Sequence, residues 1–524
     1  MGATDRATAV ALVLVLMAQA PAALAQGAGS QEPMSAIDWL SRSVVTPAGA
    51  PVPPGFAPEP PVSQGAGVES VSVTPLDRPS ANGLGLLPVA RTGLPRGLWG
   101  ETPEPQLATL LRKERLDTLP AIQSLLMTLL LAELDPPRVP DPLRRDTLFL
   151  ARIDRLLDLG ALEPALALLQ QADSADPEVF RRRFDVALLL GEEDRACAIM
   201  HETPGIAPSF PARIFCLARE GDWNAAALSL ATGRSLGRID AEMAALLERF
   251  LDPELAEESD LPPPAHPTPL VFRMMEAIGQ PMPTTSLPVA FSQADLRSNT
   301  GWKARIEAGE RLARMGAIDP NQLLGLYTER QAAASGGVWD RVAAVSALDR
   351  AVSAGDAEAA ARALPETFAA LESHELEPVL AALYGPRLAA MKLPGAAGDL
   401  AFRLGILSDD YESVARARSP KTTDEQLLVG VAQGDTSGVR AQDQLGLMLK
   451  EVFDAPPTAA PAVFAGLLPA RLGEAMLLAT DEVTEGARGE YRRVSAGLQL
   501  LRFVGLESVA RRAALELVVL ERRG

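Results

Sequence analysis

The stretch from Gly160 to Ala226 contains one short pattern three times: GALEPA at 160–165, GEEDRA at 191–196 and GDWNAA at 221–226. Each copy has a glycine followed five residues later by an alanine, and successive glycines are 31 and 30 residues apart. A period of about 30 residues is typical of arrays of paired helices. The stretch therefore predicts helices joined in hairpins, with each glycine at the turn.

The same pattern recurs later in the chain, and its chemistry suits a tight turn between two helices. A glycine ends the first helix in a left-handed cap, and an acidic residue after it favours the N-terminus of the next helix. The alanine is small enough to lie where the two helices come closest. The predicted turn pairs are Gly160/Ala165, Gly191/Ala196, Gly221/Ala226, Gly355/Ala360 and Gly505/Ala510, with Glu192, Asp222 and Asp356 as acids after the glycines.

These turns resemble the tetratricopeptide-like repeat family, in which a glycine–acid turn is followed by an alanine, a large residue and a second alanine. The matching units are Ala165/Leu169/Ala172, Ala196/Met200, Ala226/Leu230 and Ala360/Leu364. The tryptophan and Leu-Gly of the family's first helix are missing, and the spacing becomes irregular after residue 230. The resemblance implies an α-solenoid of helical hairpins whose concave face binds a partner segment. Ordinary hairpins without a shared repeat are the alternative.

Composition indicates the same all-α class. The chain has 524 residues, of which 47% are hydrophobic and only 4% aromatic, and alanine and leucine supply most of the apolar share. Alanine and leucine are strong helix formers, whereas β-branched and aromatic residues favour strands. The net charge of −18 argues against nucleic acid as a partner, because phosphate contacts need a basic surface.

Residues 1–25 have the pattern of a cleavable export signal. Arg6 precedes an apolar core, and Ala23-Leu24-Ala25 supplies a small-residue cleavage site before Gln26. The alternative is an uncleaved membrane anchor, although the apolar run is well short of the roughly 20 residues that span a bilayer. We expect a periplasmic protein with no transmembrane segment in the mature chain.

Residues 26–103 are rich in proline and glycine and are predicted to form a disordered, mostly extended arm. Two apolar islands interrupt the arm. Their candidate docking residues are Ile37, Trp39 and Leu40 in the first island and Leu94, Leu98 and Trp99 in the second. Large apolar side chains are costly to leave in water, so we expect each island to pack on something. One interpretation is the protein's own helices, and the other is a partner protein.

Amphipathic helices with three–four spacing begin near residue 104 and continue towards the C-terminus. A proline-rich stretch divides them. The predicted organisation is an N-terminal helical repeat lobe at 104–260, a linker at 261–289 and a C-terminal helical repeat lobe at 290–524. The final amphipathic helix, Leu506 to Arg523, is predicted to cap the array.

Cys197 and Cys216 are the only cysteines in the chain. They fall on successive predicted helices, on either side of a turn that contains Pro204 and Gly205. Antiparallel neighbours bring such positions together, and a lone pair in an exported chain favours a disulfide over two free thiols. The spacing does not fit the C-x-x-C pattern of a redox site.

The chain offers few residues for catalysis, a metal or a cofactor. Its three histidines, His201, His266 and His374, lie far apart in the sequence without ligand spacing. The stretch Gly233-Arg-Ser-Leu-Gly237 fits the nucleophile pattern G-x-S-x-G, but that motif needs a preceding strand and here follows a predicted helix. We predict no enzyme activity, no metal and no cofactor.

One enzyme class needs a separate check, because some murein-cleaving transglycosylases carry a long helical superhelix beside a lysozyme-like domain. Their catalytic glutamate is usually followed by serine. The pairs of this kind are Glu258-Ser259, Glu372-Ser373, Glu412-Ser413 and Glu507-Ser508. None is followed by the glycine- and aromatic-rich sequence of that family, and the enzyme is retained as an alternative to a binding role.

A signal peptide, a proline-rich arm and degenerate helical repeats together resemble the architecture of periplasmic motility proteins of α-proteobacteria. That resemblance implies a non-catalytic scaffold that supports the flagellar motor or its stators. The competing binding role is an adaptor for outer-membrane or peptidoglycan assembly. In both cases the expected partners are other periplasmic or envelope proteins.

Overall fold

The computed structural model of the chain describes residues 80–252, 254, 260–332, 334–454 and 456–520. These residues contain twenty-five α-helices, which confirms the predicted all-α class. The export signal at 1–25, the arm up to residue 79 and the first apolar island lie outside the described residues, and with them Ile37, Trp39 and Leu40. None of the described helices is long and apolar enough to cross a membrane.

The helices are numbered in chain order. They are α1 Val89–Thr92, α2 Glu104–Lys113, α3 Pro120–Leu131, α4 Thr147–Asp158, α5 Leu162–Gln171, α6 Pro177–Leu190, α7 Glu193–Glu202, α8 Phe210–Arg219, α9 Trp223–Ser235, α10 Ala241–Leu251, α11 Pro269–Ala277, α12 Ser292–Asp295, α13 Trp302–Arg314, α14 Pro320–Thr328, α15 Val338–Ala354, α16 Ala357–Glu372, α17 Glu377–Ala390, α18 Gly395–Ile406, α19 Tyr411–Ala417, α20 Thr423–Gln433, α21 Gln444–Phe453, α22 Ala462–Ala465, α23 Leu472–Gly486, α24 Tyr491–Phe503 and α25 Glu507–Val519.

Helices that follow one another in the chain pack together as hairpins. α4 packs on α5, α6 on α7 and α8 on α9, and the same pairing joins α15 to α16, α17 to α18 and α23 to α24. Each helix alone would expose an apolar stripe, and the pairing buries that stripe against a neighbour. The solenoid arrangement and the division into two lobes stay predictions.

All five predicted turn glycines have the left-handed backbone conformation, with φ between +68° and +88°. In each turn the amide of the residue after the glycine donates to a carbonyl oxygen five residues earlier, as Asp222 does to Leu217 at 2.9 Å. This is the hydrogen bond of the Schellman motif, which satisfies carbonyl groups at the end of a helix. The alanines that follow the glycines are each at most 1% exposed, and they are Ala165, Ala196, Ala226, Ala360 and Ala510.

The acids after the turn glycines differ in what they do. The carboxylate of Asp222 accepts a hydrogen bond from the amide of Ala225, and that of Asp356 accepts one from Ala359. Both therefore cap the following helix. Glu192 pairs with Arg195 instead and makes no capping bond.

α4 carries charged side chains that are buried, and Arg152 is the most enclosed of them. Its guanidinium donates at 2.8–3.2 Å to four backbone carbonyl oxygens, those of Asn82, Leu84, Leu130 and Ala132. Two of these oxygens belong to the end of α3 and its following residue, and two to the segment before α1. Burial lowers the pKa of Arg152 to about 10.

Arg155, one turn further along α4, binds the end of α2 in the same way. Its guanidinium donates to the carbonyl oxygens of Leu111 at 2.8 Å, Arg112 at 2.9 Å and Glu114. Asp158 accepts a further hydrogen bond at 2.9 Å. Carbonyl groups in the last turn of a helix have no partner within the helix. α4 therefore satisfies the C-terminal ends of both α2 and α3.

The second apolar island is part of the folded body, in contrast to its prediction as the end of the arm at 26–103. Leu94, Leu98 and Trp99 are only 3%, 1% and 0% exposed. The amide of Gly473 donates to the carbonyl oxygen of Leu98 at 2.9 Å, and a side chain at Gly473 would collide with the indole of Trp99. This is the self-packing interpretation, and it corrects the assignment of these three residues as docking positions.

The predicted linker at 261–289 also contributes to the core. It contains α11, whose Phe272 and Met275 are each 4% exposed. α11 packs on α6, and Arg273 donates to the carboxylate of Glu193 on α7 at 2.9 Å. This helix was not predicted because the stretch is rich in proline. Pro269 is nevertheless compatible with the helix, since it occupies the first turn, where proline is well tolerated.

Two of the last described helices pack on two of the first ones. α25 packs on α3, and the carboxylate of Glu516 accepts a hydrogen bond from the amide of Ala121 at 2.8 Å. α23 packs on α2, and Glu474 accepts hydrogen bonds from the hydroxyl of Thr102 and the side-chain amide of Gln106. Both acids lie near the N-terminus of an early helix, where negative charge is stabilised.

The surroundings of Ala510 correct the prediction that the last helix caps the array. A capping unit packs on one neighbour and turns a polar face to water. α25 instead packs on three helices, α3, α20 and α24, and Ala510, Ala513 and Ala514 are all 0% exposed. The turn at Gly505 therefore leads into a helix of the core, and Ala510 lies inside that helix rather than at the edge of the fold.

Glu114 is a buried carboxyl group at this closure. Its side chain accepts a hydrogen bond from Thr480 of α23 at 3.2 Å. Burial, and then the charge of Asp481, raise the pKa of Glu114 to about 8 against the opposing effects of Thr480 and Arg155. Burial beside α23 therefore favours the protonated form of Glu114.

Substitution of Gly160 by alanine tests the turn geometry. A Cβ atom there would lie 2.6 Å from Val289 and 2.7 Å from Leu312, on a backbone with φ of +77°. At Gly221, φ is +87° and nothing lies within 4 Å. We expect Gly221→Ala to lose about 1–2 kcal/mol of unfolding free energy and Gly160→Ala about 2–4 kcal/mol, measured by urea denaturation. Equal losses would contradict the close packing at Gly160.

Substitution of Glu114 by glutamine tests the buried acid. A folded-state pKa above the unfolded value of 4.5 contributes stability at low pH that is lost as pH rises towards about 8. The denaturation midpoint of Glu114→Gln should therefore rise relative to wild type between about pH 5 and pH 8. Glu372→Gln, at an exposed position, serves as the control and should show no such trend. A constant difference between Glu114→Gln and wild type would refute the assignment.

Candidate interaction surface

The predicted disulfide is present and fastens α7 to α8. The sulfur atoms of Cys197 and Cys216 lie 2.00 Å apart, and both residues are buried. Their side chains belong to the hydrophobic cluster that also contains Phe184 and Phe215, whose rings meet edge to face. The bond therefore fixes α8, which is the helix that supports α9.

α9 packs on α8 and α10 through one side, formed by Ala226, Leu230 and Gly233. A Cβ atom at Gly233 would lie 2.8 Å from the ring of Phe210 and 2.6 Å from Ile239. Glycine is therefore required for this close approach, which gives the G-x-S-x-G stretch a packing role. Ser235 within it donates to the carbonyl oxygen of Ala231 at 2.9 Å, inside the helix rather than at a strand–helix turn.

The rest of the α9 surface is largely exposed and carries two large apolar side chains among polar ones. Trp223 is 51% exposed and Leu228 is 70% exposed, and the two stand on either flank of the exposed alanines Ala227 and Ala231. At 100° per residue, both alanines fall between the tryptophan and the leucine on the helical wheel, and so do the exposed polar residues Asn224, Arg234 and Ser235. We name this sector of the helix, from Trp223 to Leu228, the α9 face.

Charged residues stand at both ends of the α9 face and differ in sign. Asp222 and Glu220 lie at the N-terminal end, where Asp222 caps the helix. Arg234 and Arg238 lie at the C-terminal end, and both are exposed. Arg234 already forms an ion pair with Glu248 of α10.

Large apolar side chains are exposed at eight positions within the described ranges, and three of them belong to α9 or the residue after it. These three are Trp223, Leu228 and Leu236, whereas the other exposed positions are Val139, Leu143, Leu447, Val463 and Phe503. Single exposed apolar residues are normal, whereas neighbouring ones mark candidate interaction surfaces. Trp223 and Leu228 belong to the α9 face, and Leu236 lies outside it at the C-terminal cap of the helix. This helix is the best candidate for partner binding.

The three histidines considered as possible metal ligands do not form a site. His201 lies 3.0 Å from Glu220, while His266 and His374 are exposed in other loops. In the ranges given above, no group of three or more His, Cys, Asp or Glu side chains is arranged to hold a metal ion.

The glutamates of the transglycosylase alternative are also far from forming one site. Glu412 and Glu507 both pair with Arg511, at 3.2 and 2.9 Å, and Glu372 is exposed at the end of α16. The pair Glu258-Ser259 lies outside the described residues. The two carboxylates that do converge share an ion pair with one arginine.

Comparison with protein-family models, curated proteins and solved structures finds no match to this chain. The fold defines it as an all-α protein built largely from helical hairpins. Its exposed α9 face is the feature on which a functional proposal rests.

The exposed side of α9 was not predicted from the sequence, although the spacing of the residues after the turn indicates which side of the helix is buried. The turn alanine Ala226 sets the buried register of α9, which continues at Leu230 and Gly233. Leu228 falls outside that register, so its exposure follows once the turn is accepted. Trp223 lies three residues before Ala226, in the same register, and its 51% exposure is not predicted in this way. The buried charges of Arg152 and Arg155 had no comparable signal, because charged residues on a helix are usually solvated.

Removal of the disulfide tests its role in holding α8. The cysteines are 19 positions apart, and a loop of this size is stabilised by about 3 kcal/mol in the chain-entropy model. Cys197→Ser/Cys216→Ser should lose about that amount in urea denaturation. Wild type in reductant should match the double variant, which itself should not respond to reductant. Recovery of two thiols on labelling unfolded, unreduced wild type would show that the bond is absent.

Proposed function

We propose that this chain is a non-catalytic scaffold or adaptor of the bacterial periplasm that binds another envelope protein through the α9 face. The observation that carries the proposal is the exposure of Trp223 and Leu228 beside Ala227 and Ala231 on one helix. Tryptophan at the centre of an interface commonly supplies much of the binding energy.

The shape of the α9 face suits an amphipathic helix of the partner. A large apolar side chain of that helix packs on the two alanines, between the indole of Trp223 and the side chain of Leu228. Full burial of an exposed leucine contributes about 1.5–3 kcal/mol. The alanines allow the two helix axes to approach closely, as small residues do at other helix–helix contacts.

The charges at the ends of the face set the orientation of the bound helix. Asp222 and Glu220 attract a basic residue, and Arg238 attracts an acidic one, whereas Arg234 is already paired with Glu248. Charge pairs at the rim of an interface contribute more to specificity and association rate than to affinity. A partner helix with acidic residues at its N-terminal end is therefore favoured in the antiparallel direction.

The proposed compartment is supported by two features. Disulfides persist in oxidising compartments such as the periplasm, and the bond between Cys197 and Cys216 is of that kind. The export pattern at 1–25 has the same implication. For the process served, support of the flagellar motor or stators and assembly of the outer membrane or peptidoglycan are the two proposals.

In-cell crosslinking followed by mass spectrometry tests partner binding. We expect tagged wild type to recover a specific envelope protein, and Trp223→Ala/Leu228→Asp to lose it because the apolar contact is gone. Leu143→Asp is the matched control, since Leu143 is 90% exposed in a different loop. Circular dichroism should be the same for all three proteins.

The identity of the recovered protein separates the two processes. Motor or stator proteins support the motility scaffold, and outer-membrane or murein-synthesis proteins support the envelope adaptor. The same recovery from both variants would eliminate the α9 face as the binding surface. Clearing on a murein zymogram would contradict the non-catalytic role.

A further inference from the structure

We propose that the cavity between α3, α25 and the turn after α1 binds a small organic anion, a carboxylate on a short aliphatic body, through the guanidinium of Arg512. This inference goes beyond the proposed function and does not depend on the α9 face. Its basis is the size of the cavity, the side chains that line it and a guanidinium nitrogen of Arg512 that has no partner among the described residues.

The cavity lies where one of the last described helices packs on one of the first. Its walls come from one side of α3, from the first two turns of α25 and from residues at the end of α1. It has a volume of about 500 Å³ and is open to solvent. Binding sites for small molecules commonly have volumes of about 300–1,000 Å³. The cavity therefore has room for a small ligand.

The lining combines apolar side chains with hydroxyl groups. Leu94, Leu125 and Val509 contribute apolar wall. Ser124 on α3 and Ser508 on α25 are exposed residues that add hydroxyl groups. A hydroxyl group can donate a hydrogen bond to an oxygen atom of a ligand. The lining thus suits a ligand with an aliphatic body and an oxygen-bearing end.

Arg512 gives the cavity a positive charge. Its Nη1 lies 2.8 Å from a carboxylate oxygen of Asp409, whose side chain is 89% exposed. Its Nε is buried and has no hydrogen-bond partner in the part of the chain that the structure describes. Nε lies on the side of the guanidinium that, together with Nη2, can bind the two oxygens of a carboxylate through parallel hydrogen bonds. A carboxylate is therefore the group that best complements this side of Arg512.

The two acids near Arg512 leave room for a bound anion. The pair with Asp409 is largely exposed, and ion pairs of that kind contribute little. Glu516 follows one turn later on α25, and its carboxylate accepts a hydrogen bond from the amide of Ala121 at 2.8 Å. The N-terminus of α3 stabilises that negative charge. Neither acid therefore replaces a carboxylate bound at Nε.

The same chemistry has two sources: a free short-chain acid, and the C-terminal carboxylate of a peptide whose last side chain is aliphatic. Isovalerate represents the first source and N-acetyl-leucine the second. Each joins a carboxylate to a branched apolar group that can pack on the wall. Isovaleramide has the shape of isovalerate without its charge and is the matched control.

Isothermal titration calorimetry of the purified protein with these three compounds, at constant ionic strength, tests the inference. We expect the acids to bind and isovaleramide to bind at least about tenfold more weakly than isovalerate, because a hydrogen bond between charged groups is stronger than one to a neutral amide. Whichever of the two acids binds more tightly identifies the source of the natural ligand.

Two variants and one control locate the binding at the cavity. Arg512→Gln should lower the affinity for the acids at least about tenfold, because the charged donor is lost. Arg362→Gln, at an exposed arginine that pairs with Glu358 on α16, should leave the affinity unchanged. Ser124→Leu adds a larger side chain to the lining and should abolish binding, while its exposed position leaves the packing of α3 intact. Circular dichroism should be the same for all of these proteins.

Three results would overturn the proposal. Equal affinities for isovalerate and isovaleramide would remove the carboxylate, and unchanged binding to Ser124→Leu would remove the cavity as the site. Failure of both acids to bind wild type would eliminate the site altogether. Each of these results leaves the α9 face untouched, because that surface is tested separately by partner recovery in cells.

Discussion

Two buried guanidinium groups on α4 hold the N-terminal part of the structure together. Arg152 and Arg155 donate to carbonyl oxygens at the ends of α3 and α2, which their own helices leave without partners. A buried carbonyl group that loses its hydrogen bond costs about 1–3 kcal/mol, and each arginine serves several. The position of the segment before α1 also follows from Arg152, because Asn82 and Leu84 are among its acceptors.

The arrangement at α4 has a counterpart at the closure with the C-terminal helices. There the charged groups are acids, Glu474 and Glu516, and they lie near helix N-termini rather than C-termini. Arginines at carbonyl ends and glutamates at amide ends both complement the helix dipole. α2 and α3 are thus bound at one end by α4 and at the other by α23 and α25. Trp99 packs beside Gly473 within the same assembly.

Local features of this fold could be predicted from the sequence, and long-range ones could not. The helical class and the disulfide follow from composition and spacing, since Cys197 and Cys216 lie on adjacent helices. The burial of Trp99 depends on a helix more than 370 positions away, for which the sequence around it contains no signal. The same limit applies to Arg152, whose partners are backbone atoms, and to Ala510, whose turn was predicted but not the distant α3 beside its helix. For the candidate site, the turn at Gly221 predicts the buried side of α9 but not that none of the described helices covers Trp223 and Leu228.

The hydrogen bond between Ala121 and Glu516 joins residues 395 positions apart. In an open array of repeats, each unit contacts only its neighbours, and shorter pieces of the chain retain much of their stability. Here the first long helices obtain part of their packing from the last ones. During synthesis, α3 is without α25 until the chain has been extended by about 395 further residues, and the side of α3 that packs on α25 stays uncovered for that time. Exposed apolar surface of this kind is what chaperones bind. Packing around α3 is therefore complete only after α25 has been synthesised.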